Sequence, residues 1–327
     1  MEWVMTKNSV FFSFALGLFL LIFSACHKKP EATVSWAFFD FPYDYDLTSV
    51  KIQSPDNWHI VGGKAWESGI YAHIINQDSI QSIDSIAPKR LNAVNLDNNN
   101  NIYTVGYTGY LLSQSNNAPH NWHSNRIFNT LNVLRDVDFI NDSTGLAVAG
   151  VAYHNGYIFR LEHAHIIQKI DTFQLSVRAV DFISPTNAIA VGYGNILKMQ
   201  SDGKWNRLPN YGDFYVDVDF PTPTIGYIIG NAGSILKTTD GGQNWTSLQK
   251  KNTYSPNKAF RAIRFLDEQN GFITGEHGLL WKTKDGGQNW TIGKGLPDIE
   301  LQGIDILPHK GVLVGKAGTI ITFDPDF

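Results

Sequence analysis

Residues 218–245 read VDFPTPTIGYIIGNAGSILKTTDGGQNW, and this segment decides the fold. It opens with an apolar–polar–apolar triplet, Val218 to Phe220, and continues with a short apolar run that ends at Gly230. A second glycine, Gly233, precedes another apolar run. These runs show no helical period of 3.6 residues and are bounded by Pro, Thr, Asn and Gly, which predicts short β-strands joined by tight turns.

The same landmarks recur along the whole chain. Each triplet begins 11 to 13 residues before its glycine, and successive glycines lie on average about 42 residues apart. The triplets begin at Val50, Val94, Val137, Val180, Val218, Ile263 and Ile304. The apolar runs end at Gly62, Gly106, Gly150, Gly192, Gly230, Gly275 and Gly315. Two landmarks held at one spacing seven times indicate seven copies of one structural unit.

A unit of about 42 residues with three or four short strands has the length of a propeller blade. We therefore predict an all-β, seven-bladed β-propeller within residues 34–327. The predicted blades cover residues 48–88, 89–132, 133–175, 176–213, 214–258, 259–299 and 300–327. The last unit is too short for a fourth strand, and we expect the N-terminal segment 34–41 to supply it. Such pairing would bring Trp36 close to Phe323 and close the ring without an exposed sheet edge.

Residues 1–25 predict a signal peptide. Lys7 is followed by an apolar run of 14 residues, 10–23, which is shorter than a transmembrane helix requires. Small residues then precede Cys26, the single cysteine of the chain, and this arrangement resembles the lipobox of bacterial lipoproteins. The resemblance implies that Cys26 is acylated and that residues 26–33 form a tether. An ordinary secretory signal with an incidental cysteine is the alternative.

The composition excludes several classes of protein. The chain of 327 residues has 26 basic and 30 acidic side chains, which give a net charge of −4. Only 17% of the residues are charged and 13% are aromatic, a balance that excludes intrinsic disorder. Because there is no basic excess to displace counterions from phosphates, we expect no nucleic-acid partner. A single cysteine cannot form an intrachain disulfide or a thiolate metal cluster.

Two units contain a sharper turn motif. Residues 238–245 and 283–290 fit Ser/Thr-x-Asp-x-Gly-x-x-Trp, the Asp-box of BNR repeats, and residues 201–205 carry a shortened version. With the triplets and glycines, this motif makes residues 48–327 resemble the Ycf48/Hcf136-like family of β-propellers, named for photosystem II assembly factors. We interpret the box as structural, because its aspartate can accept hydrogen bonds from its own turn. The structural positions are Thr238, Asp240, Gly242, Trp245, Thr283, Asp285, Gly287 and Trp290.

The residues two positions before the triplets form the candidate site. The first strand of a propeller blade lines the central channel, so these seven residues are expected to form a ring near one mouth. They are Thr48, Asn92, Arg135, Arg178, Val216, Arg261 and Gln302. Arg135, Arg178 and Arg261, with Arg90 and Arg264 nearby, would make a basic patch on an acidic protein. The family resemblance implies that such a patch contacts a client protein.

The middle residues of the triplets offer a simpler alternative for these arginines. They are Lys51, Asn95, Asp138, Asp181, Asp219, Arg264 and Asp305. The three ring arginines could pair with these aspartates and only connect neighbouring blades. A functional role instead requires guanidinium groups that are unpaired and face solvent.

Other candidate sites are weak. Two pairs of closely spaced histidines could reach a metal, but no carboxylate or cysteine cluster supports them, so we expect no metal and no cofactor. Some surface tyrosines could stack on sugars or proteins, although packing is the commoner role. They are Tyr43, Tyr45, Tyr211 and Tyr215.

These features favour a lipid-anchored, non-enzymatic platform in the envelope of a Gram-negative bacterium. It would bind an unidentified envelope protein at the mouth that carries Arg135, Arg178 and Arg261, and act in assembly or stability of a complex. We expect a monomer without catalytic residues that touches the membrane through its N-terminal lipid. The alternative is a glycan-binding or glycan-degrading surface lipoprotein, although the Phe/Tyr-Arg-Ile-Pro element typical of sialidases is absent. A scaffold without any small ligand is a third possibility.

Overall fold

The structure consists of seven four-stranded antiparallel sheets, called blades from here on. The structure is a computed structural model that describes residues 36–325 except 77–78, 127–131, 152, 164, 210 and 251–258, and only the backbone of residues 166–168. The predicted signal peptide, the tether and the lipidation site Cys26 lie outside the described residues. The prediction of an all-β, seven-bladed propeller is confirmed.

The first strands of the blades form a closed ring. Each contacts the first strand of the next blade, and the first strand of blade 7 contacts that of blade 1. In blades 1 to 7 they are β2 (Asp46–Ser54), β6 (Leu91–Leu96), β10 (Leu134–Phe139), β14 (Val177–Ser184), β18 (Tyr215–Asp219), β22 (Phe260–Phe265) and β26 (Leu301–Leu307). Together they line a central channel.

The second and third strands build the body of each blade. The second strands are β3 (Asn57–Lys64), β7 (Ile102–Gly106), β11 (Thr144–Val151), β15 (Asn187–Gly192), β19 (Gly226–Gly230), β23 (Gly271–Gly275) and β27 (Lys310–Gly315). The third strands are β4 (Ser68–Ile75), β8 (Tyr110–Gln114), β12 (His154–Glu162), β16 (Asn195–Met199), β20 (Ile235–Thr238), β24 (Leu280–Thr283) and β28 (Ile320–Phe323). A single 3-10 turn, Tyr107–Gly109, is the only helical element among the described residues.

The fourth strands lie at the rim, and the last of them comes from the N-terminus. They are β5 (Ser79–Ala87), β9 (Trp122–Arg126), β13 (His165–Phe173), β17 (Trp205–Arg207), β21 (Thr246–Gln249), β25 (Thr291–Ile292) and, in blade 7, β1 (Ala37–Phe39). Strand β1 pairs with β28 so that Phe38 lies opposite Ile321, and the rings of Trp36 and Phe323 are 5.5 Å apart. The expected closure of the ring is therefore confirmed.

The hydrophobic core is divided among the faces between neighbouring blades. Seven clusters of buried side chains fill these faces. The second strands have apolar residues in succession because both of their faces are covered, as in β15, where Ile189 to Val191 are fully buried. The cluster between blades 7 and 1 joins Trp58 to Val312 and so packs the first blade against the last.

Among the described residues, no helix has the length and apolar character needed to cross a membrane.

Candidate functional site at the arginine mouth

A β-bulge in every first strand presents one residue to the channel. In all seven strands the pairing with the second strand skips one residue, and that residue lines the channel. The skipped residues are Thr48, Asn92, Arg135, Arg178, Val216, Arg261 and Gln302, which we call the bulge ring. A bulged residue has no cross-strand partner and can be re-aimed. The structure therefore brings the sequence-predicted ring together at one end of the channel.

That end is also where two sets of connecting segments meet. Because adjacent strands run in opposite directions, the segment before each first strand and the turn between the second and third strands lie at the same end of a blade. We call this end of the channel the arginine mouth. The channel itself encloses a volume of about 200 Å³.

Arg261 is paired, although not with the aspartates of the triplets. Its Nε donates to Oε1 of Glu300 over 2.7 Å, one Nη donates to Asn231 over 2.8 Å, and the other contacts Glu276. Glu276 and Glu300 lie in segments at the mouth, so Arg261 ties two of them together. Burial would raise the pKa of Glu300, but hydrogen bonds from Lys316 and Arg261 lower it. Arg261 is therefore paired, as the simpler alternative expected, but its partners are glutamates and not the aspartates of the triplets.

Arg135 and Arg178 differ from Arg261, because neither makes a hydrogen bond or an ion pair with any described residue. Protein atoms surround both side chains, yet water reaches Arg178 through the channel. Burial and the charge of Arg178 lower the pKa of Arg135 to about 10. Burial and the charge of Arg261 lower the pKa of Arg178. These two guanidinium groups repel each other and have free donors.

Two uncharged members of the bulge ring, Thr48 and Asn92, donate hydrogen bonds to the next blade. Thr48 donates to the carbonyl of Leu91 over 2.9 Å, and Asn92 donates to the carbonyl of Leu134 over 2.6 Å. Each of these bonds joins a blade to the next one. Arg135 makes no such hydrogen bond to a described residue of blade 4, so its side chain is available to bind another group.

The aspartates of the first strands accept backbone N–H groups instead of pairing with Arg135 or Arg178. Each bond runs to a residue in the first strand of the next blade or directly after it, with N···O distances of 2.6–3.0 Å. The donor–acceptor pairs are Val180–Asp136, Phe182–Asp138, Phe220–Asp181, Ile263–Asp217, Phe265–Asp219 and Ile52–Asp305. We call this set the carboxylate belt. Arg264 adds an ion pair to Asp219 at 2.7 Å and one to Asp305 at 3.6 Å.

The belt is electrostatically costly because its carboxylates are poorly hydrated. Burial raises the pKa of Asp136 to about 7 and that of Asp217 to about 6. Burial and the neighbouring carboxylates of Asp138 and Asp219 raise the pKa of Asp181. Burial opposes the charge of Arg264, but the carboxylates of Asp219, Asp305 and Asp217 raise its pKa above the usual value. The triplet aspartates thus connect blades, as the simpler alternative expected, but through backbone donors.

Exposed aromatic side chains form an arc at the arginine mouth on blades 1 to 5. Five of the seven exposed large hydrophobic side chains among the described residues lie in segments at this end: Tyr43, Trp66, Tyr153, Tyr211 and Phe214. Trp66 packs on Tyr107 at 5.3 Å, Tyr153 packs on Tyr193 at 4.5 Å, and Tyr193 stacks on Phe214 at 3.7 Å. We call the exposed Trp66, Tyr153 and Phe214, together with the half-buried Tyr107 and Tyr193, the aromatic arc.

Tyr107 joins the aromatic arc to the arginines. Its hydroxyl accepts a hydrogen bond from Arg90 over 3.0 Å, and the guanidinium carbon of Arg90 lies 5.1 Å from the centre of its ring. Arg90 also forms an ion pair with Asp46 at 3.5 Å. Cation–π contacts of this kind hold an aromatic ring in a fixed orientation at modest cost.

Sequence reasoning missed all five residues of the aromatic arc, although a signal was present. Tyr107 and Tyr193 directly follow the landmark glycines Gly106 and Gly192, and Tyr153 follows Gly150 by three residues. Of the four tyrosines considered from sequence, Tyr43 and Tyr211 are exposed, whereas Tyr215 is fully buried between blades. The distance of an aromatic residue from the preceding landmark glycine therefore predicts its location at the arginine mouth better than the residue type does.

The two Ser/Thr-x-Asp motifs form turns at the opposite end of the channel. In residues 238–245, Asp240 accepts hydrogen bonds from the backbone of Gln243 and Asn244 over 2.9 Å, and both Gly241 and Gly242 have positive φ. Burial alone would raise the pKa of Asp240, but these bonds and those from side chains lower it to about 2. Residues 283–290 repeat the arrangement around Asp285. We call these two segments the acidic turns.

The described residues contain no cluster of three or more His, Cys, Asp or Glu side chains placed to hold a metal ion.

The fold and the channel define a seven-bladed β-propeller. A family model described as photosynthesis system II assembly factor YCF48 matches residues 172–322. The photosystem II assembly lipoprotein Ycf48 of Synechococcus sp. (strain CC9902) is 36% identical over 76 residues, which are 21% of this chain and 22% of that protein. The matched segment thus spans about a fifth of the length of that relative.

Solved structures extend the likeness over the propeller. YCF48 bound to D1 peptide has a TM-score of 0.68 and 16% identity, with 89% of this chain and 96% of that one covered. YCF48 from Cyanidioschyzon merolae has a TM-score of 0.67 and 14% identity, with 89% and 99% covered. At these identities the structures show the fold alone. The chain is therefore a β-propeller whose residues 172–322 are similar to YCF48.

Substitution of two ring arginines is expected to change stability in opposite directions. Arg178→Gln should raise the free energy of unfolding by a few tenths to about 1 kcal/mol, because it removes repulsion that channel water only partly screens. Arg261→Gln should lower it by about 1–3 kcal/mol, because Glu276 and Glu300 lose their cation. Urea denaturation of both variants measures the difference. Destabilisation by Arg178→Gln equal to that by Arg261→Gln would show that Arg178 has a structural partner.

Asp136 is expected to make stability fall with rising pH. Its pKa is about 7 in the folded protein against 3.8 ordinarily, so between these values the folded state binds more protons than the unfolded chain. Asp136→Asn keeps an oxygen for the N–H of Val180 and cannot ionise. It should therefore raise the free energy of unfolding by about 1–2 kcal/mol at pH 8 and by less at pH 5.

Denaturation at the two pH values tests this expectation for Asp136. The exposed Asp44 offers a matched control, since Asp44→Asn makes the same chemical change outside the belt. An equal effect of Asp136→Asn at both pH values would contradict the raised pKa.

Proposed function

We propose that this chain is a lipid-anchored propeller of the bacterial envelope that binds a protein partner at the arginine mouth and supports assembly or stability of that partner's complex. The observation that carries the proposal is the pair of unpaired guanidinium groups, Arg135 and Arg178, in a mouth rimmed by exposed aromatic rings. Neighbouring cations that repel each other and have no anionic partner cost stability, so their presence favours a role in binding.

The chemistry of the mouth suits a protein segment with acidic and apolar groups. A guanidinium binds a carboxylate through two parallel hydrogen bonds, and Arg135 and Arg178 both have donors for this. Aromatic residues and arginine are the residues that most often dominate protein interfaces. The arc already holds its rings in contact with one another, for example Tyr193 on Phe214 at 3.7 Å, which reduces the entropy lost on binding.

The relatives support the same class of function. The matching curated protein is called an assembly lipoprotein, and a YCF48 structure holds a D1 peptide. We infer for this chain a partner protein in the envelope whose binding segment enters the arginine mouth. We further propose that this platform is non-enzymatic. In support, carboxylates in the channel accept backbone N–H groups of the neighbouring blade.

The mouth is tested by Arg135→Ala combined with Arg178→Ala. Partners captured on the tagged wild-type chain by cross-linking in intact cells are identified by mass spectrometry. We expect the double variant to lose at least about 90% of the specific partner, as loss of two hot-spot contacts would cause. Lys284→Ala, which removes an exposed cation at the opposite end, is the control. Equal capture by the double variant and the wild type would refute the proposed site.

The lipid anchor is tested separately at Cys26. Two or more acyl chains give stable membrane binding, so the wild-type chain should sediment with membranes after a high-salt wash. Cys26→Ser should move it to the soluble fraction, or leave it with an uncleaved leader. Cys26→Ser protein that carries label from radioactive palmitate as the wild type does would exclude acylation at this residue.

A further inference from the structure

A second cavity lies between blades 3 and 4, at the end of the blades opposite the arginine mouth. It has a volume of about 650 Å³ and is lined by residues of both blades. Phe182, Met199 and Trp205 form its apolar wall, and each is at most 8% exposed. Nε1 of Trp205 is buried without a hydrogen-bond partner, and Arg160 lies at the edge of the cavity, exposed to solvent.

The corresponding place between the later blades is filled by the chain itself. Between blades 4 and 5, the acidic turn of blade 5 folds back so that Lys198 donates to the carbonyl of Gly241 over 2.6 Å. Between blades 5 and 6, Lys237 donates to the carbonyl of Gly286 over 2.9 Å. Between blades 6 and 7, Lys282 donates to the carbonyl of Pro325 over 2.7 Å. A cation on the third strand thus accompanies each covering segment.

The strand register places Arg160 at the same position in blade 3. Val137 lies opposite Ala147 in blade 3, and Val180 lies opposite Ala190 in blade 4. The residues that precede these two alanines, Leu146 and Ile189, therefore occupy corresponding positions. Leu146 lies opposite Arg160, and Ile189 lies opposite Lys198. Arg160 is therefore the counterpart of Lys198, Lys237 and Lys282.

Arg160 differs from these lysines because no covering segment among the described residues reaches it. It makes no hydrogen bond or ion pair with any described residue. Between Met199 and Trp205 the turn of blade 4 is one residue shorter than the acidic turn between Thr238 and Trp245. It continues as a hairpin in which the N–H of Gln200 donates to the carbonyl of Lys204 over 2.8 Å.

The direction of this short turn explains why the cavity is open. A Cβ placed on Gly203 would meet no atom within 4 Å, whereas one on Gly242 would meet Ile189 of the preceding blade at 2.8 Å. Asp202 pairs with Lys204 at 2.9 Å. The carboxylate that lies near the cation in the later blades is thus engaged within the hairpin here.

Where an acidic turn fills the space between two blades, its aspartate lies near the lysine of the third strand. Burial lowers the pKa of Lys198, and the charge of Asp240 in the covering turn opposes that effect. Asp285 acts on Lys237 in the same way. The two acidic turns therefore supply a backbone carbonyl, glycines and a negative charge.

We propose that the cavity between blades 3 and 4 is a docking site for an acidic, glycine-containing turn of a partner protein, which takes the place that the acidic turns occupy between the later blades. The guanidinium of Arg160 binds the carbonyl and the carboxylate of that turn, and an apolar side chain enters the space beside Met199 and Trp205. Because the cavity and the arginine mouth lie at opposite ends of the blades, the two sites can be tested independently.

Methionine NMR tests the proposal on the full chain. Methionines occur at positions 1, 5 and 199, so [methyl-¹³C]methionine labelling gives one signal from the cavity, which Met199→Leu assigns. The probe is a cyclised peptide of sequence Thr-Thr-Asp-Gly-Gly-Gln-Asn-Trp, that of residues 238–245. We expect a saturable shift of the Met199 signal with a Kd on the order of 1 mM or below, as for a small single contact.

Two substitutions and one peptide define the outcomes. Arg160→Gln, or Asn in place of Asp in the peptide, should raise Kd about tenfold, as loss of a charge-assisted hydrogen bond does. Lys198→Gln, the matched change where the turn is present, should leave Kd within about twofold. No shift of the Met199 signal up to about 10 mM peptide, or the same Kd for Arg160→Gln and the wild type, would overturn the proposal. Arg160 is exposed, so its substitution leaves the folded state available for the comparison.

Discussion

The propeller depends on side-chain hydrogen bonds that run around its channel from one first strand to the next. Among the described residues, backbone bonds between blades are few, such as the bridge between Tyr193 and Phe214 and the bond from the N–H of Gly318 to the carbonyl of Tyr45 over 2.7 Å. The chain leads from blade 7 to blade 1 only through the N-terminal strand. Asp305 supplies such a link by accepting the N–H of Ile52 over 2.7 Å, across 253 residues of sequence. A hydrogen bond to a charged acceptor contributes about 1.5–3 kcal/mol, so several in one ring are a large fraction of the stability of a domain.

This belt also explains why the channel has separate structural and binding residues. Carboxylates that hold backbone N–H groups must stay in a poorly hydrated place, and their pKa values rise accordingly, to about 7 for Asp136. The bulged residues take no part in the ladder and project into the channel. Arg261 and Arg264 found acidic partners, whereas Arg135 and Arg178 did not. The protein thus accepts an electrostatic cost at the mouth that its packing offsets.

The fold could be predicted from the sequence because each element repeats seven times, and a pattern such as Val180–Phe182 followed by Gly192 reports a local geometry. The closing strand could be predicted as well, since blade 7 lacked one. The partners of the ring arginines could not be predicted in the same way. Glu276 and Glu300 reach Arg261 through loop positions that have no repeat, and the backbone donors of the carboxylate belt leave no mark on residue type. The aromatic arc was also missed, because the exposure of its side chains depends on which turns lie at the arginine mouth.

The amide of Ile52 offers the most direct test of the belt. Its hydrogen exchange can be followed by NMR in the wild type and in Asp305→Ala, with the amide of Val312 in the same blade interface as reference. The account predicts that exchange at Ile52 accelerates by at least about tenfold in the variant, which corresponds to about 1.4 kcal/mol of local protection. Unchanged exchange at Ile52 in Asp305→Ala would contradict the view that side-chain acceptors from one blade secure the first strand of the next.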